Sequence, residues 1–414
     1  MEKKSSAAGW IVVMAGTGIN LALGALYAWS MFKAELIQAP YNLSNAQAAL
    51  PYSIACIVFA LMMIPAGRMQ DKLGPRIVAT IGGVCLGVGF FLSSMIGNSP
   101  ENALTLLLVG FGVLGGAGIG LGYAAASPPA IKWFPPQKKG LIVGIVVGGF
   151  GLASVYVAPL TRYLVDNGGI ASAFKILAVL FFLMLVIFAQ FLKNPPEGYV
   201  AAAPAKKDDD KKGPAPAAAK DYTFGEMLKT PQVWLIWLMY CIGAGAGLMV
   251  ISLIKGLSAE IETITIAGFI FVALLAVGNA GGRVISGVLS DKIGRTNTML
   301  LVFVVQAIML VLFTRVSSNA GFIVGSMIIG FSYGSCLSVF PSITADFYGM
   351  KNFGLNYGFV FSAWGFGALI MAPLAGKIKD ATGSYSTAFY VAAAALVVGA
   401  ILTFVVKPPA QKKT

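Results

Sequence analysis

Twelve stretches of this 414-residue chain are apolar over about 17–25 residues each, the length that crosses a bilayer, and this feature removes most folds from consideration. Lipid offers no partner to backbone N–H and C=O groups, so each stretch must satisfy its own backbone as a helix. The chain is expected to be an all-α membrane protein with twelve transmembrane helices. Composition agrees, since 57% of the residues are hydrophobic and only 11% charged, far from the balance of a water-soluble domain.

Six runs precede a break: Trp10–Phe32, Ala46–Gly67, Ile77–Ile96, Ala103–Ala126, Leu141–Val165 and Ala171–Leu192. From Lys193 to Thr230 the chain turns to Ala, Pro, Lys and Asp, as in AAAPAKKDDDKKGPAPAAAK, which has too little apolar surface to bury and reads as a linker. Six runs follow: Pro231–Ile254, Ile266–Leu289, Thr298–Arg315, Gly321–Ala345, Phe353–Gly376 and Ser384–Val406. The expected organisation is a six-helix half over residues 1–193, a cytoplasmic linker over 194–230 and a second six-helix half over 231–414.

A formal charge of +13 would suggest nucleic acid as the partner of a soluble protein, but in a membrane protein Lys and Arg collect on cytoplasmic loops. With both termini inside, cytoplasmic segments hold 21 of the 29 Lys and Arg, external segments together with the outer ends of the runs hold 7, and Arg283 lies deep within a run. Both termini are therefore expected in the cytoplasm, the protein in the cell's inner (plasma) membrane, and no nucleic acid among its partners. The first run is full-length and lacks a cleavage site after it, so it reads as a span and not as a signal peptide. Cys56, Cys85, Cys241 and Cys336 fall within runs without paired spacing and imply packing, not disulfides. The chain has no His, no pair of carboxylates within one run, no nucleophile elbow and no phosphate loop, so neither an enzyme nor a cofactor or metal is expected.

Arg283 is the expensive residue. A guanidinium at the centre of a membrane helix costs about 2.5–3.5 kcal/mol on insertion scales, so such residues usually face a cavity. Snorkelling to the headgroups is the structural alternative, but Arg283 lies only about five residues past the middle of its run, about 8 Å, and helical side chains lean toward their own N-terminus. No acidic residue stands in the middle of another run to pair with it. Its planar donor fork suits a carboxylate held by two parallel hydrogen bonds. Asn279, one turn earlier on the same face, is suited either to the same ligand or to bonding between helices.

The halves share residues at nearly constant offsets. GRMQDKLGPR (Gly67–Arg76) matches GVLSDKIGR (Gly287–Arg295), 220 residues apart at Asp71 and Asp291. WFPPQKKGLIVG (Trp133–Gly144) matches FYGMKNFGLNYG (Phe347–Gly358) at an offset of 214, which continues through Gly151 and Gly365, Pro159 and Pro373, and Asp166 and Asp380. Two parallel repeats place a substrate site at their interface near the bilayer midplane.

The pattern G-x-x-x-D-[RK]-x-G-x-[RK], present in both halves, resembles the signature of the major facilitator superfamily. YAW (Tyr27–Trp29), KWFPPQKKGL (Lys132–Leu141), GEMLKTPQVW (Gly225–Trp234), N-x-x-x-R (Asn279–Arg283) and NYG (Asn356–Gly358) resemble the oxalate–formate antiporters and the monocarboxylate transporters. The resemblance implies the major facilitator fold, two pseudo-symmetric halves, and an aromatic substrate cage to which Tyr27, Tyr123 and Tyr333 correspond, Tyr333 replacing a tryptophan. Trp364 stands where the antiporters carry a second cation, a lysine, so a single carboxylate on Arg283 is expected. Animal monocarboxylate transporters carry aspartate in place of Asn279 and a lysine in the first span, so their proton relay does not carry over. The loop residues Asp71 and Arg76, and Asp291 and Arg295, are implied to gate the cytoplasmic ends, although a topogenic role explains them as well.

The function expected is alternating-access transport of a small monocarboxylate such as lactate or pyruvate, by a monomer, with proton symport. Asp380, near a helix end, is the candidate proton carrier within the chain; the substrate itself is the other. An oxalate and formate exchanger, or a transporter-like carboxylate sensor, are the alternatives.

Overall fold

The computed structural model describes residues 2–134, 139–196, 199, 221–349 and 352–409. These residues are helical nearly throughout and include no strand. The first span is broken into α1 (Glu2–Leu23), a 3-10 turn (Gly24–Ala28) and α2 (Trp29–Leu36); α3 (Asn45–Leu73) and α4 (Pro75–Ser94) are continuous. The fourth span joins α5 (Ala103–Leu107) through a π-helical stretch (Leu108–Gly115) to α6 (Gly116–Lys132). The fifth and sixth form α7 (Lys139–Ala189), two helices that meet at Gly169, whose φ of 76° only glycine adopts readily.

A short α8 (Phe224–Leu228), opened by the capping box of Thr223 and Glu226, leads into the second half. There α9 (Pro231–Ala259), α10 (Gly268–Ile293), α11 (Arg295–Phe313), α12 (Asn319–Tyr348), α13 (Phe353–Thr382) and α14 (Ser386–Val405) are one span each. Counting α7 as two, the described residues make twelve crossings of membrane length. Apolar side chains point both ways, as lipid requires. In α4, Val84, Val88 and Phe91 are exposed at helical spacing while Gly83, Leu86, Gly87 and Phe90 are buried.

The repeat is visible in backbone angles. Gly74 after α3 has φ 82° and ψ 160°, and its counterpart Gly294 after α10 has φ 90° and ψ 156°. Each turns the chain straight into the next helix, so the loop motif is a tight corner that needs glycine at that position.

Two features depart from the expected spans. The first span runs on to Leu36 and so encloses Lys33, which the sequence places beyond Phe32; Lys33 is only 4% exposed. The spans thus bury a second cation besides Arg283. Of the linker over 194–230, residues 197–198 and 200–220 lie outside the described residues, and the segment from Asp221 onward is ordered against α12 and α13. Tyr222 N donates to Tyr348 O at 3.0 Å, and Asn352 Nδ2 and Asn356 Nδ2 both donate to Tyr222 O at 3.0 Å.

The first six and last six spans meet chiefly where α3 packs on α13 and α7 on α10. Contact is close at the end of the bundle that carries the turns at 37–44, 260–267 and 383–385, hereafter the turn end. A Cβ on Gly376 would strike the backbone of Ala46, one on Gly365 would lie 2.8 Å from Ile57 Cα, and Ser53 Oγ donates to Ala368 O at 2.9 Å. The opposite end is looser. A Cβ on Gly144, Gly148 or Gly281 would meet nothing within 4 Å, and a cavity of 400 Å³ opens beside Ile64, Pro65, Arg68, Met69, Lys72 and Leu73 of α3.

Candidate functional site

Small residues set the site. Gly278 and Gly282 of α10 face the backbone of Met327 and Phe331, while Gly330 and Gly334 of α12 face the backbone of Leu275 and Asn279, so a Cβ at any of the four would collide with main chain. Two glycines spaced by four on each helix let the backbones touch. That contact brings Asn279 and Arg283 of α10 beside Tyr333 of α12. Across the interface, Gly24 abuts the Phe150 carbonyl of α7, so the 3-10 turn fits against α7 and Tyr27 is delivered to the same place.

Arg283 Nε donates to Asn279 Oδ1 at 3.1 Å. Tyr27, Tyr123, Tyr333 and Tyr240 lie around the guanidinium. Gly151 of α7 leaves its Cβ position only 3.7 Å from Arg283 Nε, so the cation reaches across to the first half. Among the described residues Arg283 has no carboxylate partner. A guanidinium has five N–H donors, and only Nε has a partner with a defined bond.

The hydroxyl groups beside it are also short of acceptors. Trp364 Nε1 donates to Tyr333 Oη at 2.8 Å, and Tyr333 Oη shares a 2.6 Å hydrogen bond with Tyr27 Oη. Three donor hydrogens therefore meet two bonds, and one hydroxyl hydrogen is left over. Asn279, fully buried, has no partner for Nδ2. A buried donor without an acceptor costs about 1–3 kcal/mol. Donors without acceptors around a cation are the chemistry of an anion site.

Aromatic rings enclose these groups. Tyr27 and Tyr123 both pack edge-on against Phe150, with centroids 5.0 and 5.5 Å away, and Phe59 touches Tyr123 at 5.3 Å and Trp364 at 5.2 Å. Phe361 stacks on Trp364 at 5.4 Å. Toward the turn end the seam lined by Tyr27, Ser154, Ile251, Ile254, Val272, Leu275 and Ala276 is too narrow to admit water. The walls suit a small body of low polarity attached to an anionic head.

Of the expected residues, the fold brings Arg283, Asn279, Tyr27, Tyr123, Tyr333 and Trp364 into one cluster. It places the others elsewhere. Asp291 pairs with Arg295 at 2.6 Å, and Arg295 pairs with Asp346 of α12 at 2.9 Å, all within the second half. Arg76 is exposed, and the Asp71 side chain lies outside the described residues. Asp380 sits at the turn end, far along α13 from Trp364. Sequence reasoning did not single out Phe59, Phe150 or Phe361, and it marked Gly151 only as a repeat partner of Gly365. For Phe150 a signal existed: the 214-residue offset pairs it with Trp364, just as it pairs Gly151 with Gly365.

Twelve crossings of membrane length, with a polar cluster where the first six spans meet the last six, define the architecture of a multi-pass membrane carrier. The sequence profile of the Major Facilitator Superfamily matches residues 7–271 and 248–414, and the chain belongs to that superfamily. It is 29% identical over 392 residues to the oxalate:formate antiporter of Oxalobacter formigenes, covering 92% of this chain and 88% of that protein. It is 26% identical to monocarboxylate transporter 13 of Rattus norvegicus, covering 94% and 87%. A bacterial homologue of the human lysosomal transporter Spinster shares the fold with a TM-score of 0.63 at 16% identity, over 96% of this chain and 95% of that one.

Proposed function

We propose that the protein carries a small monocarboxylate, of the lactate or pyruvate type, between its two halves, with a proton moving in the same direction. The observation that carries this is the cluster around Arg283: one cation, unclaimed donors, no carboxylate among the described residues, and aromatic walls. One guanidinium neutralises one carboxylate. Trp364 fills the place of a second cation, and a second carboxylate there would stay uncompensated in a site of low dielectric. The names of the relatives, an oxalate:formate antiporter and a monocarboxylate transporter, agree with a carboxylate as the cargo.

The halves 1–193 and 231–414 are the moving units, the linker 194–230 joins them, and the protein works as a monomer. The Lys and Arg bias puts both termini in the cytoplasm of a cell whose inner (plasma) membrane holds the protein. The turn end is then external and sealed, and the site faces inward. Asp71, Arg76, Asp291 and Arg295 lie at the cytoplasmic end, where they close the other access state; in this state Arg295 ties only its own half. A bare monoanion entering against an inside-negative potential costs about 2.3 kcal/mol per 100 mV, and a co-transported proton removes that cost.

Vesicles containing only this protein test the proposal. Labelled lactate should accumulate when a pH gradient, acid outside, is imposed, and internal alkaline pH should dissipate with uptake. Counterflow of formate against oxalate without movement of protons would instead make the protein an exchanger. Binding without accumulation would make it a sensor.

A further inference from the structure

Among the described residues the site around Arg283 holds no acid to carry the proton, but the turn end does. Asp380, near the end of α13, caps the first turn of α3 across the interface: its Oδ1 accepts from Asn45 N and Asn45 Nδ2, each at 3.0 Å, and its Oδ2 accepts from Ala46 N at 3.1 Å. The two helices come from opposite halves, 335 residues apart. Backbone contact at Gly376 and Ala46 holds them close enough for this bond set. A carboxylate on three N–H donors at the positive end of a 29-residue helix is strongly held there.

Around it stand the other groups of the turn end. Tyr385 Oη donates to Asn45 Oδ1 at 2.9 Å and receives Lys33 Nζ at 3.4 Å; Lys33 of α2 and Lys379 of α13 lie 5.5 and 5.1 Å from the centre of the Tyr385 ring. Lys379 is paired with Glu260 at 2.6 Å, and Lys255 of α9 with Glu35 of α2 at 2.9 Å. Glu35 and Glu260 thus each have a lysine of their own. Asp380 is held instead by a helix end, and it is exposed to the medium.

The repeat sharpens the point. Asp166, its counterpart at the 214-residue offset, does not cap a helix of the other half in the same way; it is paired with Arg162 one turn earlier at 2.7 Å. Among the described residues the sealed end thus has one cross-interface carboxylate cap where a symmetric carrier would have two.

We propose that Asp380 is the latch of the sealed end and that a proton arriving from that side releases it. A protonated carboxyl presents an O–H where an N–H now donates, and it loses the charge that faces the α3 N-terminus. At the protonated oxygen donor would face donor, the other oxygen would accept without its charge, and the weakened cap would let α3 and α13 part at the turn end. A proton would thereby open the carrier toward the proton-rich side, with no titrating acid needed at the depth of Arg283. This rests on the transport function proposed above for its direction, but not for its readout.

The test is a distance measurement. With the four native cysteines replaced, spin labels at Gln38 and Glu262 report the separation of the halves at the turn end. In the otherwise native chain, lowering the pH from about 7 to about 3, across the range in which an aspartate carboxylate protonates, should shift the distribution to longer separations. Asp380→Asn, a neutral isostere, should show the long separation at both pH values. Asn45→Ala, which removes one donor and keeps the two backbone N–H groups, should shift the response to higher pH, and it serves should Asp380→Asn not fold. Glu260→Gln should leave the pH response in place. A distribution that ignores pH, or an Asp380→Asn protein that responds like the native chain, overturns the latch. If the latch responds while no carboxylate is transported, the cargo assignment fails and the latch stands.

Discussion

Tyr27 and Tyr333, 306 residues apart, share a 2.6 Å hydrogen bond that joins the two halves directly beside Arg283. Because Trp364 Nε1 also donates to Tyr333, three donor hydrogens make only two bonds and one hydroxyl hydrogen is left over. Removing the Tyr27 hydroxyl should therefore weaken substrate binding while leaving the Trp364 bond intact. Tyr27→Phe is expected to raise the KM for uptake about fivefold, the equivalent of a bond worth about 1 kcal/mol. Tyr333→Phe should do more, since it strands the buried Trp364 N–H as well. Equal effects in the two variants would show that the surplus hydrogen does not face the substrate.

Asn279 holds Arg283 through Nε without neutralising it. Asn279→Asp would supply the carboxylate that Arg283 lacks, and the guanidinium would then pair within the chain. Affinity for a carboxylate, followed by ligand-induced thermal stabilisation, should fall at least about tenfold, in keeping with the loss of a charge-assisted bond. Unchanged stabilisation by lactate would remove Asn279 from the site.

Gly334 lies against the Asn279 carbonyl with no room for a methyl group. Gly334→Ala must push α12 from α10, and overpacking of this kind costs about 1–3 kcal/mol. A lower melting temperature in detergent, together with reduced uptake, is expected. Native stability in this variant would mean that the helices are not in backbone contact there.

Trp364 closes the place where a second cation would stand. Trp364→Lys is expected to give up lactate uptake and gain oxalate uptake, because two cations can then neutralise two carboxylates. A folded variant that shows no shift toward oxalate would mean that charge count does not set the cargo.

Much of this is legible in the sequence. Lipid forces apolar runs into helices, so the twelve spans followed from hydrophobicity, and Arg283 stood out because its cost in such a run is high. Repeat offsets placed the corner glycines Gly74 and Gly294, whose backbone angles match. Lys33 was misplaced because its long apolar stem lets a buried span continue past the last apolar run. Phe59 and Phe361 were invisible for a different reason: an aromatic facing the site and one facing lipid look the same in an apolar sequence. The cap of Asp380 on α3 depends on a contact between chain segments 335 residues apart, which no local pattern encodes.

The central claim is that Arg283 binds one carboxylate. Uptake of labelled lactate into vesicles carrying the native chain, Arg283→Lys or Arg283→Ala tests it most directly. The native chain should show saturable uptake, Arg283→Lys at least about tenfold less because a point charge lacks the paired donors, and Arg283→Ala none. Native rates in either folded variant would contradict the assignment.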